Sequence, residues 1–175
     1  MLRQNNARRF GRILWVGFGL ILFALALEKT TMAQTEIEDR NRRAVQAGFD
    51  NWLNGKGSIY DLLTADAKWT IAGNSAASRT YQSRQDFMDN VIQPFNARLV
   101  KRLVPTVRGI YADGDTIIVL WDGVATARDG STYENSYAWF LRMRDSKIVS
   151  AVAFYDSIAF NDLWTRVMPV PEEQR

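Results

Sequence analysis

The second half of this chain constrains its fold most: from Val100 to Asp156, strand-forming residues run almost without interruption, broken only by short polar turns. Asp113-Gly114-Asp115, Asp129-Gly130 and Arg144-Asp145-Ser146-Lys147 separate segments rich in Val, Ile, Thr, Tyr, Trp and Phe. This is the signature of hairpins joining successive antiparallel strands. Four strands are predicted, over 100–112, 116–128, 131–141 and 148–156.

Register follows from the turn. If Asp129-Gly130 is a two-residue connection, Arg128 faces Ser131, and counting back sets Asp122 opposite Tyr137, Val124 opposite Asn135 and Leu120 opposite Trp139. Those six residues would share one face, with a lone carboxylate among aromatics, and Trp121, Gly123 and Ala125 would lie on the other. Burial in such surroundings raises a carboxyl pKa. Asp122 is therefore the expected general base, with Tyr137 as hydrogen-bond donor to a developing oxyanion. The structural alternative is a carboxylate satisfied by Tyr137, Asn135 or an arginine. Arg79, Arg98, Arg102 and Arg108 are expected in solvent.

The first half supplies the helices. Between Thr35 and Asn54, apolar residues recur at helical spacing, and Asn54-Gly55-Lys56-Gly57 stops the run. Ser58-Ile59-Tyr60-Asp61 resembles a capping box for a short helix over 59–63, and 68–72 reads as a short strand. Ser83 caps a third helix that Pro94 breaks or kinks. Ile158, Phe160, Leu163, Trp164 and Val167 form a last amphipathic helix, with Asp156 placed to cap it. Pro105 marks an edge strand or a bulge. The order describes an α+β domain with helices packed on one face of a curved antiparallel sheet.

There is no Cys and no His. That excludes disulfides, thiol nucleophiles, imidazole bases and the usual zinc sites. No short spacing clusters enough oxygen ligands for a hard cation, so neither metal nor cofactor is expected. Residues 1–33 hold five Lys/Arg and one acid, so the net charge of +3 falls to −1 without them. The rest of the chain has no basic stripe, and nucleic-acid binding is not expected.

The arginines at 3, 8, 9 and 12, the apolar run from Ile13 to Leu27 and small residues near Ala33 have the form of an export signal. A retained membrane anchor, with the domain outside the cytoplasm, is the alternative. The expected organisation is a leader over 1–33, one domain over 34–168 and a loose tail over 169–175.

Several segments, in this order, resemble the SnoaL-like branch of the nuclear-transport-factor-2-like superfamily. They are Trp52-Leu53-Asn54-Gly55, the stretch Leu62 to Trp69, Tyr81 to Phe87, Gly114 to Val119, Asp129 to Asn135, Lys147-Ile148-Val149 and Phe154-Tyr155-Asp156. The resemblance implies a cone-shaped sheet wrapped around helices with a central apolar pocket, on a fold that hosts isomerases, cyclases, hydrolases and non-catalytic binders.

Ketosteroid-isomerase-like catalytic positions fall on Ile71, Phe49 and near Ala138, so that machinery is missing. Limonene-epoxide-hydrolase-like positions fall on Trp69, Ile71, Leu120, Asp122 and Ala153, of which only Asp122 is retained. The same comparison puts Val124, Asn135, Tyr137 and Tyr155 on the cavity wall. A simple turn at Asp145-Ser146 would instead aim Phe154 inward, so a bulge there decides the matter.

The resulting expectation is a small hydrophobic ligand in the cone, bound by Trp69, Leu120, Val124, Asn135, Trp139 and Tyr155. Isomerisation, cyclisation or water addition would be centred on Asp122 and Tyr137. A non-catalytic module that homodimerises through its outer sheet face is the competing expectation.

Overall fold

In the computed structural model, the backbone is described for residues 10–170 and the side chains for residues 31–170. The apolar run expected to direct export, and the last five residues of the expected tail, lie outside the residues whose side chains are described. The chain divides into two units, residues 1–37 and 38–175. In the first, the described backbone is helical and Thr35 Oγ1 donates to the Thr31 carbonyl at 3.0 Å. Helix α1 (Phe10–Leu53) starts well before the expected Thr35, as neither Pro nor Gly lies between Gly19 and Gly48 to interrupt it.

In the second unit, α1 ends where the glycines predict. Gly55 takes a φ of +68°, a left-handed conformation that costs glycine little. The last carbonyls are not left to water alone: Arg102 donates to the Trp52 and Leu53 oxygens at 2.7 and 2.8 Å. Arg102 is thus a helix cap rather than a free surface charge. A 3₁₀ turn (Ile59–Leu62) follows, with the Ser58 N–H donating to the Asp61 carboxylate at 2.8 Å.

Ser83 starts the next helical segment by accepting from the Asp86 N–H at 3.0 Å. That segment is α2 (Arg84–Phe87), a π turn (Met88–Ile92) and α3 (Gln93–Asn96). The expected break at Pro94 takes this form because proline has no N–H to offer. The helix widens by one residue just before it, with the Gln93 N–H reaching back to the Met88 carbonyl.

The sheet has six strands: β1 (Leu63–Ile71), β2 (Thr80–Tyr81), β3 (Leu99–Asp113), β4 (Thr116–Ala127), β5 (Thr132–Arg144) and β6 (Lys147–Tyr155). Their spatial order is β2-β1-β6-β5-β4-β3, which puts Pro105 on an edge strand as its missing donor requires. One detail departs from the sequence expectation. The strand before the helical segment pairs parallel to β6, so the sheet is mixed rather than wholly antiparallel. Helix α4 (Ser157–Arg166) leaves the end of β6, and Asp156 caps it by accepting from the Ile158 N–H at 2.8 Å.

Candidate functional site

The connection between β4 and β5 decides which residues face inward. It has three residues, not two. The Ala127 N–H donates to the Ser131 carbonyl at 2.8 Å, the Gly130 N–H donates to the Ala127 carbonyl at 3.0 Å, and Gly130 has a φ of +86°. This is a turn followed by a glycine bulge. Arg128 is drawn out of the ladder, its N–H donating to the Arg98 carbonyl at 2.9 Å and its Nε to the Ala97 carbonyl at 2.8 Å.

Thr126 therefore faces Thr132, and Trp121, not Asp122, faces Tyr137. The shift of one residue turns all of β4 over relative to the expected pairing. Trp121 enters the cone with Tyr133, Asn135, Tyr137 and Trp139. Asp122, Leu120 and Val124 leave it for the outer face, where Leu120 and Val124 are exposed.

The connection between β5 and β6 works the other way. Asp145 and Ser146 both have positive φ and form a two-residue turn, but the register slips between Met143–Ile148 and Arg142–Ser150. That bulge sets Tyr155 opposite Tyr137 and on the cavity side, as the bulged alternative required, and leaves Phe154 outside.

These strands, with α1, the 3₁₀ turn, the segment over 84–96 and α4, surround a cavity of about 160 Å³. Aromatic side chains dominate its wall: Trp52, Tyr60, Trp69, Phe87, Phe95, Trp121, Tyr137, Trp139, Tyr155 and Phe160 all line it. Trp69 and Phe87 stack at 4.5 Å, Trp121 and Tyr137 at 3.9 Å, and Phe160 bridges Tyr155 and Trp164 at 5.0 and 5.1 Å. The rings meet in both stacked and edge-to-face arrangements. No residue lining the cavity is charged.

Its polar groups are phenols, indoles and a few small side chains. Tyr137 and Tyr133 share a hydrogen bond at 2.9 Å, and Asn135 Nδ2 donates to the Tyr133 hydroxyl at 2.9 Å. Asn135 is not on the cavity wall. It lies behind it and clasps the start of α4, donating to the Asp156 carbonyl and accepting from the Asp156 N–H, both at 2.9 Å. The Tyr155 hydroxyl pairs with Ser75 Oγ at 2.8 Å. Burial pushes the phenols of Tyr60, Tyr133, Tyr137 and Tyr155 above their ordinary range, so they are neutral donors and not bases at any physiological pH.

Two of the indoles on the wall, those of Trp121 and Trp139, are buried without a hydrogen-bond partner. Each costs about 1–3 kcal/mol as an unsatisfied group.

Asp122 has a different setting. Its carboxylate accepts from Ser136 Oγ at 2.7 Å and pairs with Arg108 Nε on the outer face of the sheet. The Ser136 hydroxyl first, and then Arg108, hold its pKa below the usual carboxylate value, the opposite of the shift a buried base needs. The structural alternative, an arginine closing on Asp122, is the arrangement present. Arg98 also departs from expectation. It is buried, donates to the Trp164 and Pro94 carbonyls at 3.2 and 2.7 Å, and lies over the Trp164 ring at 4.0 Å. Arg79 pairs with Asp86 at 2.9 Å.

Of the residues expected at the site, Trp69, Tyr137, Trp139 and Tyr155 meet at the cavity, Asn135 supports it, and Asp122, Leu120 and Val124 lie elsewhere. Trp121 lies on the inner face, opposite to the expected one, and Tyr60, Phe87 and Phe160 add to the wall from the helical segments. Among the described residues, no group of three or more Asp or Glu is placed to hold a metal ion.

A SnoaL-like domain model matches residues 40–151, well over half of the chain. The chain belongs to the SnoaL-like family. No curated protein matches it. Solved structures share the fold of this SnoaL-like domain at low identity. Bal32a, from a soil-derived mobile gene cassette, is 14% identical over 73% of this chain and 98% of its own, with a TM-score of 0.62. A SnoaL-like polyketide cyclase candidate from Jannaschia sp. CCS1 is 17% identical over 74% and 94%, with a TM-score of 0.56. An isomerase candidate from Bacillus subtilis is 14% identical over 78% and 99%, with a TM-score of 0.57. At these identities the likeness establishes the cone fold alone.

Proposed function

We propose that this SnoaL-like domain binds a small, neutral, predominantly apolar molecule in its cone. The observation that carries this reading is the aromatic cavity with no charged residue on its wall. A cavity of about 150 Å³ lined by apolar side chains is known to stay dry and to accept benzene, so this one suits a ligand of roughly one ring. Uncharged walls disfavour an anion, whose desolvation no cation among the lining residues would offset.

Base-centred isomerisation, cyclisation or water addition is not favoured, because the one carboxylate assigned to it faces away from the cavity in an ion pair. What the wall offers chemically is hydrogen-bond donation from neutral phenols. That serves recognition, or polarises a carbonyl, without removing a proton.

The test is thermal unfolding of the full chain with toluene and with benzoate. Toluene is expected to raise Tm, benzoate to leave it unchanged, and Ala153→Leu, which places bulk on the cavity wall, to remove the toluene effect. Equal shifts with both ligands, or none with toluene, would overturn the reading.

The outer face supports a second reading. Leu120, Phe140, Val152 and Phe154 are exposed side by side on β4, β5 and β6, around an ion pair that already neutralises itself. A second copy of the chain is the occupant this reading names, since two such faces meet without opposed like charges at their centres. Sedimentation that finds only monomer at micromolar concentration removes it.

A further inference from the structure

We infer that ligands enter the cone between the end of α1 and the helical segment over 84–96, and that Met88 and Ile92 form the moving lip of that entrance. These two side chains then decide which molecules are admitted. The inference rests on the binding reading above and concerns access to the cavity rather than the chemistry of its wall.

Most of the wall is closed to solvent. The lining residues that are not buried are Trp52, Ser58, Met88, Ile92, Asn96 and Tyr155. Tyr155 stands apart on β6, its hydroxyl tied to Ser75. The other five belong to two lips. Trp52 and Ser58 flank the turn that ends α1, whereas Met88, Ile92 and Asn96 recur every four residues, which sets them on one side of their helical segment. Tyr60 joins the lips from below, its ring 5.5 Å from Trp52 and 5.7 Å from Phe87.

The lips are held differently. The Asn54, Gly55 and Lys56 N–H groups close back onto α1 at 3.0, 3.1 and 2.8 Å, and Arg102 ties the Trp52 and Leu53 carbonyls to β3. That side is fixed. Opposite it, Met88–Ile92 is a π turn set between two helical pieces of four residues each, and Pro94 adds no backbone donor to the stretch. A π turn is a register defect in a helix, frequent at functional sites, and moving it by one residue swings the neighbouring side chains around the axis. Methionine, unbranched and with three rotatable bonds, suits a lip that yields and recloses.

The chain has no cysteine, so a thiol placed at the lip is the only one a reagent meets. In the full chain, Met88→Cys is compared before and after capping with a bulky maleimide, beside Lys68→Cys treated alike. Lys68 is exposed on β1 and is not on the cavity wall. Fluorobenzene is the probe, and ¹⁹F NMR reads its occupancy and its exchange rate together. Capping the Met88→Cys thiol is expected to slow association and dissociation together by at least about tenfold while affinity changes far less, as gating requires. Capping Lys68→Cys should change neither. Ile92→Cys carries the same comparison if Met88→Cys does not fold.

Unaltered exchange after capping would place the entrance elsewhere and overturn the inference. Weaker binding without slower exchange would make Met88 and Ile92 plain wall and overturn it too, as would a thiol that the reagent does not reach in the folded protein. Failure of fluorobenzene to bind the unsubstituted chain at millimolar concentration would overturn the pocket reading itself, and the entrance with it.

Discussion

Trp121 and Tyr137 face each other directly across β4 and β5, and their rings stack at 3.9 Å with only 7° between their planes. That contact is a consequence of the three-residue connection between the strands, which sets Trp121 rather than Asp122 on the cavity wall. Had the pairing been one residue different, Asp122 would occupy the position of Trp121 and the cone would contain a carboxylate.

Removing the charge of Asp122 should therefore leave cavity binding intact. In Asp122→Asn, affinity for toluene is expected within about twofold of the original, well under the 1.4 kcal/mol that makes a tenfold change. Stability should fall slightly at neutral pH. Ser136 and Arg108 depress the carboxyl pKa in the folded state, so its stabilising contribution is present above the unfolded value of about 3.9 and is lost as pH falls through the folded value. Denaturation curves from pH 7 to pH 3 should show a gap between the two proteins that narrows on acidification. Loss of ligand binding in Asp122→Asn would return Asp122 to the site.

The same hairpin shows where the sequence was legible and where it was not. Strand existence, the helix stop at Gly55, the distortion of the helical segment next to Pro94, the caps at Ser83 and Asp156 and the edge position of Pro105 all follow from local chemistry, and each appears where the residues say. Register is not local. Asp129-Gly130 is a strong two-residue turn signal, yet Arg128 is held by the Ala97 and Arg98 carbonyls, which come from a segment 30 residues away and lengthen the loop by one. A signal was available: on β4 the odd positions Ile117, Val119, Trp121, Ala125 and Ala127 carry no charge, and on β5 the apolar Tyr133, Tyr137, Trp139, Leu141 and Met143 are odd too. Only an odd residue count in the loop puts these two sets on one face. Pattern over whole strands outweighed the turn dipeptide because burying that many apolar groups is worth far more than one turn type.

Asn135 is more important to the fold than to the ligand. Its amide joins β5 to the first residue of the α4 cap through two hydrogen bonds and adds a third to Tyr133. Asn135→Ala leaves the Asp156 N–H and the Tyr133 hydroxyl short of partners and should cost about 2–4 kcal/mol by urea denaturation. Tyr133→Phe removes one neutral interaction at each of two neighbours and should cost about 1 kcal/mol. A ranking with Tyr133→Phe the more damaging would show that the clasp at Asp156 is not what the amide supports.

Ionisation of the cavity phenols is opposed by burial, so the unfolded chain releases their protons before the folded one does. Stability is then fully retained below pH 10, the ordinary tyrosine value, and declines as pH rises toward the folded values. Absorbance at 295 nm should show the phenolates of Tyr60, Tyr133, Tyr137 and Tyr155 appearing together with loss of near-ultraviolet dichroism, as one cooperative step. Smooth titration of these four in protein that stays folded would mean that water reaches the cavity.

Gly123 tests how closely the inner face is packed. It sits between Pro105 of β3 and Asn135 of β5, two residues along from Trp121. A Cβ added there would lie 2.8 Å from Leu103 Cδ1 and 3.0 Å from the Trp121 ring, too close for either to remain in place. Leu103 can move the end of its side chain, but Trp121 is held against Tyr137 on one face and Trp139 at its edge. The strain should be relieved in part by tilting Trp121 into the cavity, which narrows the space a ligand occupies. Gly123→Ala is expected to lose about 1–3 kcal/mol of stability, the range for overpacking a core. It should also weaken toluene binding, because the lost volume is volume the ring would fill. Calorimetry showing full toluene affinity in a destabilised Gly123→Ala protein would place the strain on Leu103 instead.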